Sequence, residues 1–143
     1  MKARDLMTRD PECVTQEDTL QRAASIMRDR DVGAVPVVSD SDSRRLVGIV
    51  TDRDIAIRHV AEGHRDDHTV RDVMSAGSIA TAREDDSVDS VMKLMEQHKV
   101  RRIPVVGKND EVIGMIAQAD LVLEAHDEKK VERTVEKISE PDR

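Results

Sequence analysis

The chain has 143 residues, a formal net charge of −7 and no Phe, Tyr or Trp, so its core must be made from Val, Ile, Leu, Ala and seven Met. Acidity and the lack of aromatic faces argue against single-stranded nucleic-acid binding, which combines a basic groove with stacking side chains, and no apolar run approaches the ~20 residues of a membrane span. One cysteine, Cys13, rules out an intrachain disulfide, and Met1-Lys2-Ala3-Arg4-Asp5 lacks the apolar stretch of a signal peptide, so a cytoplasmic protein is expected.

The first expected element is a short extended piece, Glu12–Thr15. A helix follows, with Leu20, Ala23, Ala24, Ile26 and Met27 at helical spacing and Asp18 or Thr19 as its N-cap. Next come a β-branched strand, Ala34–Val38, a polar turn, Ser39–Arg45, and a second strand, Leu46–Val50, which runs into a helix beginning near Thr51. The polar segment Ala61–Thr69 contains Gly63 and reads as a linker. Its His64, Asp66, Asp67 and His68 can be drawn as a metal site on paper, but patterns this short match by chance, and the expectation is a solvated connector without a metal. The order then recurs. An extended piece, Ser78–Thr81, precedes a helix carrying Val88, Val91, Met92 and Met95 and capped by Asp86 or Ser87. Strand Arg102–Val106, turn Gly107–Glu111 and strand Val112–Ile116 follow, and a helix starts near Ala117. Beyond them, Asp127–Ser139 places Val131, Val135 and Ile138 at i, i+4 and i+7, an amphipathic helix free to lie on the body of the protein or on a second subunit.

The recurrence extends to individual residues. Ala3-Arg4-Asp5-Leu6-Met7 returns as Val70-Arg71-Asp72-Val73-Met74, Val35-Pro36-Val37-Val38 as Ile103-Pro104-Val105-Val106, and Gly48–Asp54 as Gly114–Asp120, at separations of 67, 68 and 66 residues. A period this long, occurring twice, does not suit a solenoid. It predicts two copies of one α/β unit, residues 1–60 and 70–124, with 61–69 as linker and 125–143 as a C-terminal helix. Each copy is too small to bury much core alone, so the two are expected to pair about a pseudo-twofold axis, their nearly continuous apolar strands covered by helices.

The strand–helix junctions carry the chemistry. Thr51 stands where a helix N-cap would, and Asp54 can reach back to it as in a capping box. In the second copy Ala117 removes the hydroxyl while Asp120 keeps the carboxylate. A carboxylate one turn into a helix can also accept hydrogen bonds from a vicinal diol such as a ribose. Arg53, Arg101 and Arg102 add donors suited to phosphate oxygens; Arg101-Arg102 immediately precedes its strand, where the first copy has Gly33-Ala34. A catalytic reading needs a nucleophile with a base, a carboxylate pair or a metal set. Cys13 has no placed histidine partner and the five His, at 59, 64, 68, 98 and 126, are scattered over polar segments, so no enzyme is expected.

The doubled V-x-D-h-M, h-P-V-V and G-h-h-T-x-x-D pattern, with Thr51–Ile55 reading T-D-R-D-I and Val100–Pro104 reading V-R-R-I-P, resembles a tandem pair of cystathionine-β-synthase (CBS) domains over residues 3 to about 124. The resemblance implies two β-α-β-β-α repeats packed sheet to sheet, a homodimer, and two clefts for adenosine compounds. One cleft would use Asp54 for the ribose, Thr51 and Arg53 on the phosphate side, the backbone of Ile79 and Ala80 at the adenine edge, and Arg101 and Arg102 crossing to the phosphates. The other would centre on Asp120, with Cys13 and Val14 near the base and Gly33 and Ala34 opposite, and would hold phosphates poorly. The expected function is a regulatory sensor of an adenine nucleotide (AMP, ADP or ATP) that signals to a separate effector protein. The alternative is an interaction protein with vestigial clefts.

Overall fold

The computed structural model describes residues 1–64, 68–124 and 138. It is mixed α/β, with two four-stranded sheets and flanking helices. Its two compact units do not follow the chain in order. One comprises Pro11–Ile79 and Lys108–Val112; the other takes Met1–Asp10, Ala80–Gly107 and the described residues from Ile113 onward.

In the first of these units, β2 (Val14–Thr15) pairs in parallel with β3 (Ala34–Val38), β3 antiparallel with β4 (Leu46–Thr51), and β4 antiparallel with β5 (Ser75–Ala76). In the second, β1 (Thr8–Arg9) pairs antiparallel with β8 (Val112–Ala117), and β6 (Ala82–Arg83) in parallel with β7 (Arg102–Val106), giving the order β1-β8-β7-β6. The opening segments of the two repeats are therefore exchanged: the strand that opens the first repeat closes the second repeat's sheet, and the reverse. Division by repeat and division by space differ for this reason.

The long helices form as their sequences dictate. In α2 (Leu20–Arg30), Thr19 Oγ1 accepts the Arg22 N–H, and in α4 (Val88–His98), Ser87 Oγ accepts the Ser90 N–H. Both helices stop at a left-handed residue, Asp31 (φ 55°) and Lys99 (φ 52°). Leu20, Ala23, Ile26 and Met27 of α2 are buried with Val14, Val35, Val37, Val50, Val70 and Val73. Val91, Met92 and Met95 of α4 are buried with Ala3, Leu6, Met7, Ile103, Val105, Ile116 and Leu121. The second of these cores also takes in Ile138, so the apolar end of the expected C-terminal stripe is occupied within its own unit; Val131, Val135 and the rest of 125–143 lie outside the described residues. None of the described helices is long and apolar enough to cross a membrane.

Two expectations are corrected. Ser78–Thr81 is not a strand; two-residue strands lie on either side of it, each defined by its ladder partner in β4 or β7 rather than by local propensity. Asp18 and Asp86 do not cap helices; each accepts the N–H three residues back, from Thr15 and Arg83. Residues 3–7 form a one-turn helix, α1 (Ala3–Leu6), whose counterpart Val70–Asp72 is a 3-10 turn.

The repeated glycines have a packing cause. A Cβ on Gly48 would stand 2.8 Å from the Ser75 carbonyl oxygen and 2.9 Å from Met74 Sδ; one on Gly114 would stand 2.5 Å from Met7 Sδ. The methionine that ends each V-x-D-h-M segment is thus seated on a strand glycine of the partner repeat. Gly48→Ala is expected to cost about 1–3 kcal/mol through overpacking, because the carbonyl it meets is backbone. Gly114→Ala should cost a similar amount, since the added atom would also meet Met7 Cγ at 2.9 Å and Met7 Cβ at 3.0 Å, which are fixed close to the backbone. Urea titrations followed by circular dichroism check this, and a negligible loss at either position would refute it.

Candidate functional site

The two strand–helix junctions are built by the same local rule. Strand β4 ends at Thr51 and α3 (Asp52–Ile55) begins at once. Thr51 Oγ1 accepts the Asp54 N–H at 3.0 Å and Asp54 Oδ2 accepts the Thr51 N–H at 2.9 Å, the reciprocal box read from the sequence. At the second junction β8 leads into α5 (Gln118–Glu124), and Asp120 Oδ2 accepts the Ala117 N–H at 2.8 Å with no hydroxyl to return the bond. The same carboxylate-to-backbone bond closes Asp5 on Lys2, Asp72 on Thr69, Asp18 on Thr15 and Asp86 on Arg83. The spacing of these aspartates is therefore first a backbone-turn device. The Asp54 side chain is 13% exposed, and its second oxygen, Oδ1, lies 3.8 Å from Arg58 Nε.

Each junction also lies beside the start of the preceding strand of its own sheet, β3 or β7. The Asp52 N–H bonds the Gly33 carbonyl at 2.9 Å, and the Gln118 N–H bonds the Arg101 carbonyl at 2.7 Å. Gly33 and Ala34 are buried, so that edge of the Thr51–Asp54 junction is plain backbone. Arg101 is exposed and Arg102 half-buried beside the Ala117–Asp120 junction. Of the expected site residues, Thr51, Arg53, Asp54, Ile79, Cys13, Val14, Gly33 and Ala34 belong to one unit. Ala80, Arg101, Arg102 and Asp120 belong to the other.

Cys13 is half-buried and its thiol donates to the Pro11 carbonyl, which also accepts from Arg44. Burial pushes its pKa up and nearby Arg44 pulls the other way; a raised thiol pKa disfavours the reactive thiolate. Sequence reasoning missed Gln118, whose buried Nε2 has no hydrogen-bond partner among the described residues. It stands at the position Asp52 occupies in the first repeat, and that alignment was its only signal. Sequence reasoning also missed His59, which the structure brings together with His64 and His68; Asp66 and Asp67, drawn with those two on paper, lie outside the described residues.

A family model described as the CBS domain matches residues 3–59 and 70–127. The Bacillus subtilis protein YlbB is 40% identical over 99% of this chain and 93% of its own length. Among solved structures, Hypoxic Response Protein I with two coordinated zinc ions is 34% identical with a TM-score of 0.76, covering 87% of this chain and 98% of that one. The CBS domain pair of protein MJ0100 in complex with 5′-methylthioadenosine and S-adenosyl-L-methionine is 27% identical with a TM-score of 0.76, covering 86% of this chain and 98% of that one.

Proposed function

The chain belongs to the CBS domain family through both of its repeats, and from that premise we propose that it is a non-catalytic regulatory module that binds an adenosine compound and signals to a separate protein. The observation that carries the reading is the Thr51–Asp54 junction. There a shielded carboxylate sits one turn into a helix with one oxygen committed to the backbone and the other held only by a 3.8 Å ion pair with Arg58, which a ribose diol could replace. A similar CBS pair solved with S-adenosyl-L-methionine and methylthioadenosine supports an adenosine ligand.

Within the unit that contains Pro11–Ile79 we assign the ribose to Asp54, the phosphate side to Thr51 and Arg53, and the adenine edge to the backbone of Ile79. Arg53 favours AMP, ADP or ATP over an uncharged adenosine. At the Asp120 junction the hydroxyl is missing, and the Gln118 amide with the neighbouring Arg101 and Arg102 offers donors in its place. The working unit in this reading is a cytoplasmic homodimer. The opposing reading, a scaffold with vestigial clefts, draws on the backbone bonds that already occupy Thr51 and Asp54.

Calorimetry with AMP and adenosine tests the proposal. AMP should bind more tightly, and added salt should narrow the difference. A charged hydrogen bond is worth about 1.5–3 kcal/mol, so Arg53→Ala should weaken AMP roughly ten- to a hundred-fold and leave adenosine nearly unchanged. Equal affinities for the two ligands would remove the phosphate assignment; no binding of either would favour the scaffold.

A further inference from the structure

Three imidazoles away from the strand–helix junctions converge within the unit that contains Pro11–Ile79. His59 lies in a π-helical turn, Ala56–Val60, that continues α3; His64 and His68 stand at either end of the connector's middle. One ring nitrogen from each lies within 4.8 Å of the other two. The rings of His64 and His68 stack with centroids 4.2 Å apart and planes 8° from parallel, while His59 meets them edge-on at 5.9 and 5.5 Å. The wide turn makes this possible. The Ala61 N–H bonds the Ala56 carbonyl and the His64 N–H bonds the His59 carbonyl, five-residue spacings that open the helix and bring the chain back over His59.

Two further observations point to a ligand. His59 Nδ1 is buried with no hydrogen-bond partner among the described residues, an uncommon state for a buried polar atom. His68 Nδ1 lies 3.3 Å from Asp72 Oδ2. That is the carboxylate–histidine arrangement that orients metal-bound imidazoles, with Nδ1–H donating to the carboxylate and Nε2 serving as the metal donor.

We propose that His59, His64 and His68 form a binding site for one divalent transition-metal ion, with zinc the best fit. Imidazole donors select zinc, nickel or copper over magnesium and calcium. In a tetrahedral zinc complex with bonds of about 2.0–2.1 Å, donor nitrogens lie ~3.4 Å apart, so the cluster need draw in by little more than ~1 Å. His64 is exposed and follows Gly63 (φ 73°), a position that permits such a movement. The fourth position falls to water or another donor. The ion would clip the connector at residue 68 to the helix that begins at Asp54's own junction, so metal loading and the geometry of that junction become linked.

The test is a zinc titration of the untagged, metal-stripped chain in competition with a chromophoric chelator. One ion per chain is expected. His59→Ala, His64→Ala and His68→Ala should each weaken uptake by at least about a hundred-fold, and Asp72→Asn by roughly ten- to a hundred-fold. His98→Ala, on the exposed side of α4, should match the native protein. Cobalt(II) should give the intense visible bands of a tetrahedral complex, and circular dichroism establishes that each variant is folded. No zinc uptake by the native chain, or uptake that persists in a folded His64→Ala/His68→Ala variant, overturns the site.

Discussion

Deleting residues 1–10 should cost the protein most of the stability of the sheet built by the second repeat, although the deletion lies in the first. Strand β1 pairs Thr8 with Met115 and Arg9 with Gly114, and Ala3, Leu6 and Met7 are buried in the core of that unit. Burial of Leu6 and Met7 alone is worth about 1.5–3 kcal/mol each, so their loss removes roughly 3–6 kcal/mol from a domain whose whole margin is of order 5–15 kcal/mol. With no Trp or Tyr to give a fluorescence signal, amide hydrogen exchange is the suitable probe. Protection should vanish from β6, β7 and β8 while β2, β3 and β4 keep theirs. Equal loss in both sheets, or none, would contradict the exchanged-strand account.

The second large effect is expected at Met95. It is fully buried in α4 at the centre of a core that has no aromatic side chain to fill its volume. Met95→Ala should therefore lower stability by about 2–5 kcal/mol, the range for a buried long side chain cut to Cβ. Met95→Leu conserves volume and should cost less than ~1.5 kcal/mol. Thermal melts would register the first as a fall on the order of 10 °C. A small loss for Met95→Ala would mean that the core collapses easily around its methionines.

The helices α2 and α4 and the four longer strands were legible because each is written in a period of apolar residues and marked at its start by Thr19, Ser87 or a polar turn. The two-residue strands were not. Ser75–Ala76 and Ala82–Arg83 are strands only because β4 and β7 lie beside them, and nothing local announces such pairing. The exchange of β1 and β5 escaped for the same reason: a repeat shows which segments are alike, not which ones touch. At the candidate site the Thr51–Asp54 box was readable from residue spacing and was found as drawn. His59 was not, since only a turn wider than the α-helix brings residue 59 over residues 64 and 68. The C-terminal stripe was read as apolar, and Ile138 is buried, but in its own unit's core.

The exchanged strand also sets a clock on synthesis. Thr8 leaves the ribosome early, yet its ladder partner, Met115, is added 107 residues later. At about 5–20 residues per second that is a wait of roughly 5–20 s. Residues 11–79 meanwhile supply all four strands of their own sheet and can settle as they emerge. Leu6 and Met7 must stay exposed until the second repeat arrives. The nascent chain thus carries an unpaired apolar segment until the second repeat is made, and a pause before residue 115 would prolong its exposure to chaperones and to neighbouring chains.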